Sequence, residues 1–235
     1  LQGAFAYLER HSRYVMSDIA TRAEQRGGEW TINGEKTVVL NGGAAQKLIV
    51  AARSAGAQAD EAGVTLLLVD AASAGITRTV YRMTDGQQAA NITFDNVVAE
   101  AVIGKPGEGY ALMTPVIDAA RLAVCANALG AMEALNAQTV EYCKTREQFG
   151  VKIGSFQALQ HRMVDMLGAC ENVKSLLYRA VCAAQDHSED ARRSLLALKV
   201  MVGRAGKLIG GEAIQLHGGM GMTNELSVGF FVKRL

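Results

Sequence analysis

The chain is predicted to be an α+β protein: an antiparallel β-barrel domain followed by an antiparallel four-helix-bundle-type domain. Three observations carry this reading. Residues 28–103 hold short apolar runs between turn residues, without a helical period. From Gly109 onward the apolar residues recur at three- and four-residue steps. Between the two lies Gly104-Lys105-Pro106-Gly107, a turn-rich joint. The domains are therefore placed at 1–104 and 105–235.

The elements follow in order. Glu29-Trp30-Thr31-Ile32 meets Asn33-Gly34, a strong hairpin signal, and Glu35 to Leu40 would be the returning strand. Leu48–Ala52 and Val64–Val69 are apolar runs bounded by turn residues, and Asn91-Ile92-Thr93-Phe94 alternates as a half-buried strand does. Strands joined by Gly-containing turns with no helix between them imply an antiparallel sheet or barrel. In the second half, Ala119, Ala123, Asn127, Gly130 and Ala134 form a stripe of small residues on one helix. Phe156, Leu159, Met163, Met166, Cys170, Val173, Leu177, Val181 and Ala184 line one face of a second. Leu195, Leu198, Val202, Ala205 and Ile209 line a third. Long helices with short connections read as an antiparallel bundle.

Composition narrows the function classes. With 49% hydrophobic and 20% charged residues and a net charge of +1, the chain has no electrostatic footprint for nucleic acid or an anionic membrane. No run of eighteen apolar residues is evident, so no membrane span is expected. Cys125, Cys143, Cys170 and Cys182 form no CxxC pair and are read as reduced thiols, which favours the cytoplasm. The four histidines lack ligand spacing with cysteines or carboxylates, so no metal site is expected. Neither a GxGxxG after a strand nor a P-loop occurs.

Two segments can carry chemistry. In Thr145-Arg146-Glu147-Gln148-Phe149-Gly150 an arginine sits at a corner between helices, where a guanidinium can grip a phosphate through two hydrogen bonds. Phe149 offers a face for a planar ring. In Gln215-Leu216-His217-Gly218-Gly219-Met220-Gly221 glycines let the backbone approach a ligand, and their amides suit phosphate. Each also has an ordinary structural reading, as a helix end or a C-cap turn.

The order Tyr142…Thr145-Arg146-Glu147-Gln148-Phe149-Gly150…Ile153…Phe156-Gln157…Gln160-His161…Asp165-Met166, followed by the Gln215–Gly221 run, resembles the acyl-CoA dehydrogenase family. Ile32-Asn33-Gly34-Glu35-Lys36, Asn41-Gly42-Gly43 and Gly104…Gly107…Gly109 fit as well, and the similarity covers roughly residues 6 to 233. It implies a middle β domain and a C-terminal helical domain, with the family's N-terminal helical domain missing. It further implies an FAD-dependent enzyme of fatty acid metabolism, oxidising an acyl-CoA to the trans-2-enoyl-CoA and passing electrons to an electron-transfer flavoprotein. Subunits would assemble as a homo- or hetero-oligomer. Arg146, Gln148, Phe149, Gln215, Gly218 and Gly219 would hold the FAD, joined by Leu8 and Val39 from the β domain, and Arg121 would meet the substrate.

The sequence also departs from the family. Where the family has a Glu as catalytic base, just before an Arg on the first bundle helix, Ala120 precedes Arg121. The base is therefore unassigned, and is expected beyond Leu235 or in a partner subunit. The family's Trp-Ile-Thr is Val38-Val39-Leu40 here. Its Thr-Glu-Pro segment is Leu8-Glu9-Arg10-His11-Ser12-Arg13, keeping only Glu9. Arg10, His11 or Arg13 would meet the far carboxylate of a dicarboxyl-CoA such as pimeloyl-CoA; this resembles the small-subunit type of pimeloyl-CoA dehydrogenase. The missing Glu, Trp and Thr equally suit a non-catalytic subunit that completes a partner's FAD site. An oxidase or monooxygenase using the same fold is a third reading.

Overall fold

A computed structural model describes residues 1–235. The chain divides into two compact units, Leu1–Val116 and Ile117–Leu235. The division falls inside the helix that begins at Gly109. The reason is local: Glu108 bridges to Val64, and a Cβ on Gly109 would lie 2.8 Å from the Val64 carbonyl oxygen. The first turns of that helix thus pack on the sheet.

The first unit contains β1 (Gly3–Ala6), β2 (Arg22–Arg26), β3 (Glu29–Leu40), β4 (Lys47–Arg53), β5 (Val64–Asp70), β6 (Ile76–Arg82), β7 (Gln88–Val98) and β8 (Ala101–Ile103). They form one sheet in the order β6-β7-β3-β2-β4-β5-β8, with β1 added on β4. The antiparallel barrel expected from the sequence is corrected on two counts. The sheet path is open, and it is mixed, because β1 runs parallel to β4 and β2 meets β4 in parallel at Arg22 and Arg53. Parallel neighbours need a crossover, and here the chain reaches β4 from β1 by way of the 7–21 loop and the β2–β3 hairpin. Ile32, Leu48, Val50, Leu67, Val69, Ile92 and Phe94 fill the core.

Asn33-Gly34 is not the hairpin turn. The turn between β2 and β3 is Gly27-Gly28, both with positive φ, and β3 continues through Asn33-Gly34 opposite a bulge in β7, where Asp95 and Asn96 face the single residue Asn33. Gly34 is needed there because its φ is +145° and a Cβ would sit 2.7 Å from Thr21 Cα. Asn33 stays in the strand by exchanging hydrogen bonds with Asn96: the Asn96 amide donates to Asn33 Oδ1 at 2.8 Å.

The second unit contains most of α1 (Gly109–Thr145), the short strands β9 (Glu147–Gln148) and β10 (Val151–Lys152), α2 (Gln157–Gln185), α3 (Ala191–His217) and α4 (Val228–Arg234). The expected stripe of α3 is buried throughout. That of α2 buries Met166, Cys170 and Val173, while Phe156 stands exposed at its start. Both join Cys125, Met132 and Leu135 of α1 in one core. The fourth helix is short, and Val232 packs beside Gly210 of α3. The unit is therefore three long helices and a short one, rather than four matched helices. The small-residue stripe of α1 lies mostly on its exposed side.

Contrary to the sequence reading, α1 is long and apolar enough to cross a membrane by length and composition. Its Ala-, Leu- and Val-rich middle produces this. The same helix places Cys125, Leu129, Met132 and Leu135 in the core shared with α2 and α3.

Candidate functional site

The first cleft lies on the β unit and encloses about 380 Å³, lined by Leu8, Glu9, Arg10, Arg13, Thr37, Val38, Tyr81 and Asn91. Its floor is an ion pair. Glu9 Oε1 accepts a hydrogen bond from Lys36 Nζ at 2.6 Å, and both side chains are buried. The Glu9 carboxylate also accepts from the amides of Ala20 and Thr21, at 2.8 and 3.1 Å. Burial alone would push the Glu9 carboxyl up, but the Lys36 charge and these hydrogen bonds outweigh it and hold it below its usual value. Burial brings the Lys36 ammonium down to about 8, against the opposing pull of Glu9. The carboxylate is thus ionised and its lone pairs are committed. It anchors the irregular 7–20 segment to β3, an attachment completed by the Thr37 amide donating to the Leu8 carbonyl at 2.9 Å.

The cleft wall is set by a bulge of β3, between Lys36 and Val39. Val38 has φ +50°, a left-handed conformation that a β-branched residue rarely adopts. Its amide donates to Asn91 Oδ1, which also accepts from the Tyr81 hydroxyl. The bulge reverses the faces of the Val-Val pair. Val39 is 1% exposed and belongs to the sheet core, so the expectation that it faces a cofactor is corrected. Val38 lines the cleft instead, and Leu40 is exposed beyond it.

Of the three cationic candidates, the structure brings two to this cleft. Arg13 lines it with no ion pair, and Arg10 sits there with only a distant contact to Glu35 at 3.9 Å. His11 is drawn away: its Nε2 lies 3.2 Å from Asp18 Oδ1 and 3.0 Å from Gln58 Nε2. Sequence reasoning did not single out Lys36, Thr37, Tyr81 or Asn91 as site residues. Their signal is fold-dependent, since they come from three different strands.

The second cleft, in the helical unit, encloses about 410 Å³ and is lined by Tyr142, Arg146, Gln148, Ile153, Gln215, Leu216, His217, Gly218, Gly219 and Met220. Arg146 follows the last turn of α1, its amide bonded to the Tyr142 carbonyl at 2.9 Å, and its guanidinium carries no ion pair. Gly218 ends α3 with φ +59°, and a Cβ on either Gly218 or Gly219 would meet nothing within 4 Å. The open backbone beside a free guanidinium can receive a diphosphate. Gln215 adds an exposed amide at the same rim.

His217 is not available as a base. It is 4% exposed, its Nδ1 lies 2.8 Å from the Ala213 carbonyl oxygen, and its ring stacks on Tyr142 with centroids 4.4 Å apart. Phe149 is in the strand-joining turn rather than the cleft. With Gly150 it forms the two-residue turn between β9 and β10, φ +56° and +78°, and it is 92% exposed. Phenylalanine in the left-handed region is strained, and the turn leaves its ring exposed at the hairpin tip. Arg121 is engaged by Asp118 on the same helix, Nη1 to Oδ1 2.7 Å.

The open mixed sheet followed by long helices is shared with part of solved acyl-CoA dehydrogenases. Over 99% of the chain it superposes on butyryl-CoA dehydrogenase from Megasphaera elsdenii with a TM-score of 0.90 at 28% identity, covering 62% of that chain. Over 98% it matches the glutaryl-coenzyme A dehydrogenase glutaryl-CoA complex, with a TM-score of 0.90 at 25% identity and 60% of that chain covered. Residues 107–235 match the acyl-CoA dehydrogenase C-terminal domain and residues 4–97 the acyl-CoA dehydrogenase middle domain. The short-chain-specific acyl-CoA dehydrogenase of Megasphaera elsdenii is 31% identical over 232 residues, which are 96% of this chain and 60% of the relative. The chain belongs to the acyl-CoA dehydrogenase family, and spans about 60% of the length of such relatives.

Proposed function

We propose that the protein is a subunit of an FAD-dependent acyl-CoA dehydrogenase, removing hydrogen across the α,β bond of an acyl-CoA thioester to give the trans-2-enoyl-CoA. The observation that carries this reading is the cleft of Arg146, Gln215, Gly218 and Gly219, whose free guanidinium and uncovered backbone fit the diphosphate half of FAD. When bound, FAD supplies the hydride acceptor. Arg146 would hold diphosphate charge through two N–H donors, Gln215 would bond polar edges of the adenosine, and the Gly218-Gly219 backbone would allow close approach. On the β unit, Leu8 and Val38 give a wall without the indole or hydroxyl of related sequences.

The finer substrate reading is a dicarboxyl-CoA such as pimeloyl-CoA. Arg13, without an ion pair, and Arg10, only loosely held, leave two guanidiniums in the first cleft to receive a far carboxylate. That a structural relative is a glutaryl-CoA dehydrogenase in complex with glutaryl-CoA supports this class. An electron-transfer flavoprotein would take the electrons, in a cytoplasmic homo- or hetero-oligomer.

A second reading has its own observation. Ala120 stands before Arg121, and Arg121 is paired with Asp118, so this helix offers no proton acceptor at that point. The subunit would then complete an FAD site in a catalytic partner. Absorbance of the purified full-length protein, followed by anaerobic addition of octanoyl-CoA or pimeloyl-CoA, separates the readings. Bound flavin bleached by pimeloyl-CoA supports the dicarboxyl dehydrogenase, and bleaching by octanoyl-CoA alone refutes the substrate class. Absence of flavin would leave the non-catalytic reading. For Arg13, Arg13→Ala with unchanged selectivity between the two thioesters would remove its assigned role.

A further inference from the structure

At the far end of α2 and the start of α3 lies a cavity of about 320 Å³, lined by Leu176, Arg179, Arg193, Ser194 and Ala197. It shares no residue with either cleft described above. Ser194 is 4% exposed, and its Oγ is buried with no hydrogen-bond partner. A buried hydroxyl left unpaired is costly, and such a group invites a ligand that completes it. Neither Arg179 nor Arg193 takes part in an ion pair or hydrogen bond. The cavity also opens at the N-terminus of α3, a helix of 27 residues.

That terminus is not self-capped. Asp190 occupies the N-cap position, yet its carboxylate makes no bond to the first-turn amides. The Ala191 amide is taken by the Ser188 carbonyl and the Ser194 amide by the Asp190 carbonyl, leaving the amides of Arg192 and Arg193 unpaired. A helix N-terminus with free amides favours an anion, and two guanidiniums suit an oxyanion of more than one negative charge. Asp190 and Glu189, both exposed in the preceding loop, carry the opposing charge and are screened by solvent.

We propose that this cavity binds a phosphate oxyanion, free or carried on a small organic ester, with the Ser194 hydroxyl donating to one oxygen and Arg179 and Arg193 to the others. A volume of 320 Å³ lies at the low end of small-molecule sites. Leu176 and Ala197 give an apolar wall on which the carbon skeleton of an ester would rest.

The test is calorimetric titration of the full-length protein with inorganic phosphate, glycerol 3-phosphate and acetate. Saturable binding of either phosphate source, with acetate much weaker, supports the site, and tighter binding of glycerol 3-phosphate assigns it to an ester. In the double variant Arg179→Gln/Arg193→Gln the affinity should fall by about tenfold or more, and in Ser194→Ala by about fivefold. Ser194→Ala removes an unpaired polar group, so its unliganded melting temperature should hold or rise, which separates lost binding from lost folding. No saturable phosphate binding would overturn the proposal. So would binding unchanged in both variants but lost in Arg146→Gln, since that places the phosphate in the other cleft.

Discussion

Replacing Lys36 with Met should destabilise the β unit by about 3–5 kcal/mol near neutral pH, the usual cost of leaving a buried charge without its partner. At 2.6 Å the attraction between Glu9 and Lys36 is on the order of 6 kcal/mol with an effective dielectric of about 20. It is offset by the burial of both ions and restored in part by the amides of Ala20 and Thr21. Removing Lys36 leaves those two hydrogen bonds but strips the charge. The acid behaviour then changes sign. In the unmodified protein Glu9 titrates below its unfolded value, so its stabilisation is present above that value and lost as pH falls through the folded one. In Lys36→Met the buried, unpaired carboxyl should titrate above its unfolded value. Its penalty is then absent in acid and grows as pH rises. Trp30, the single tryptophan, lies in β3 and reports unfolding of this unit in urea by fluorescence. The double variant Glu9→Gln/Lys36→Met should recover most of the loss, because no charge remains buried. A loss under about 1 kcal/mol for Lys36→Met, or acid slopes of one sign in both proteins, would refute the reasoning.

Three further outcomes are expected. Arg146→Lys should weaken FAD retention by about tenfold or more, because an ammonium cannot reproduce the two-donor grip; spectroscopic titration of the apoprotein checks this. Val38→Asn should raise the urea midpoint of the β unit by a free energy of about 1 kcal/mol, since Asn tolerates the left-handed φ that valine resists. Gly34→Ala should cost more than about 2 kcal/mol in the same assay, because its Cβ would strike Thr21 backbone 2.7 Å away.

Much of the fold was legible because long apolar periods survive tertiary context. The α3 stripe from Leu195 to Ile209 is buried as its spacing requires, and Lys47–Arg53 and Val64–Asp70 pair along their full lengths. The misreadings have local causes. Asn33-Gly34 carries a hairpin signature, but Asn96, in a bulge of β7, captures Asn33 and the dipeptide stays within β3, where only glycine leaves room for Thr21. The open, mixed sheet could not be read, because the parallel β1–β4 pairing joins segments separated by a loop and a hairpin. In the sites, Arg146, Gln215, Gly218 and Gly219 line one cleft. Val39 was misplaced because one bulge inverts the alternation of β3. Phe149, read as a ring for a ligand, stands exposed at the tip of the β9–β10 hairpin, a position that its place in the sequence does not show.

The charges of the two clefts separate binding from proton transfer. α,β-Dehydrogenation needs a group able to accept a proton beside the acyl chain. Glu9 is the carboxylate lining the first cleft, and it is ionised, buried and bonded to Lys36, Ala20 and Thr21. Taking a proton would break the pair that anchors the 7–20 segment, so it serves as a structural anion. The other charged groups on that wall, Arg10 and Arg13, are cations. In the second cleft the charged side chain is Arg146, while the His217 ring is buried, stacked and bonded to a backbone carbonyl. Asp118 is committed to Arg121. The cationic side chains that line each cleft suit an anion and none of them accepts a proton at neutral pH. In the proposed reaction the proton acceptor has to come from outside the residues that line the clefts.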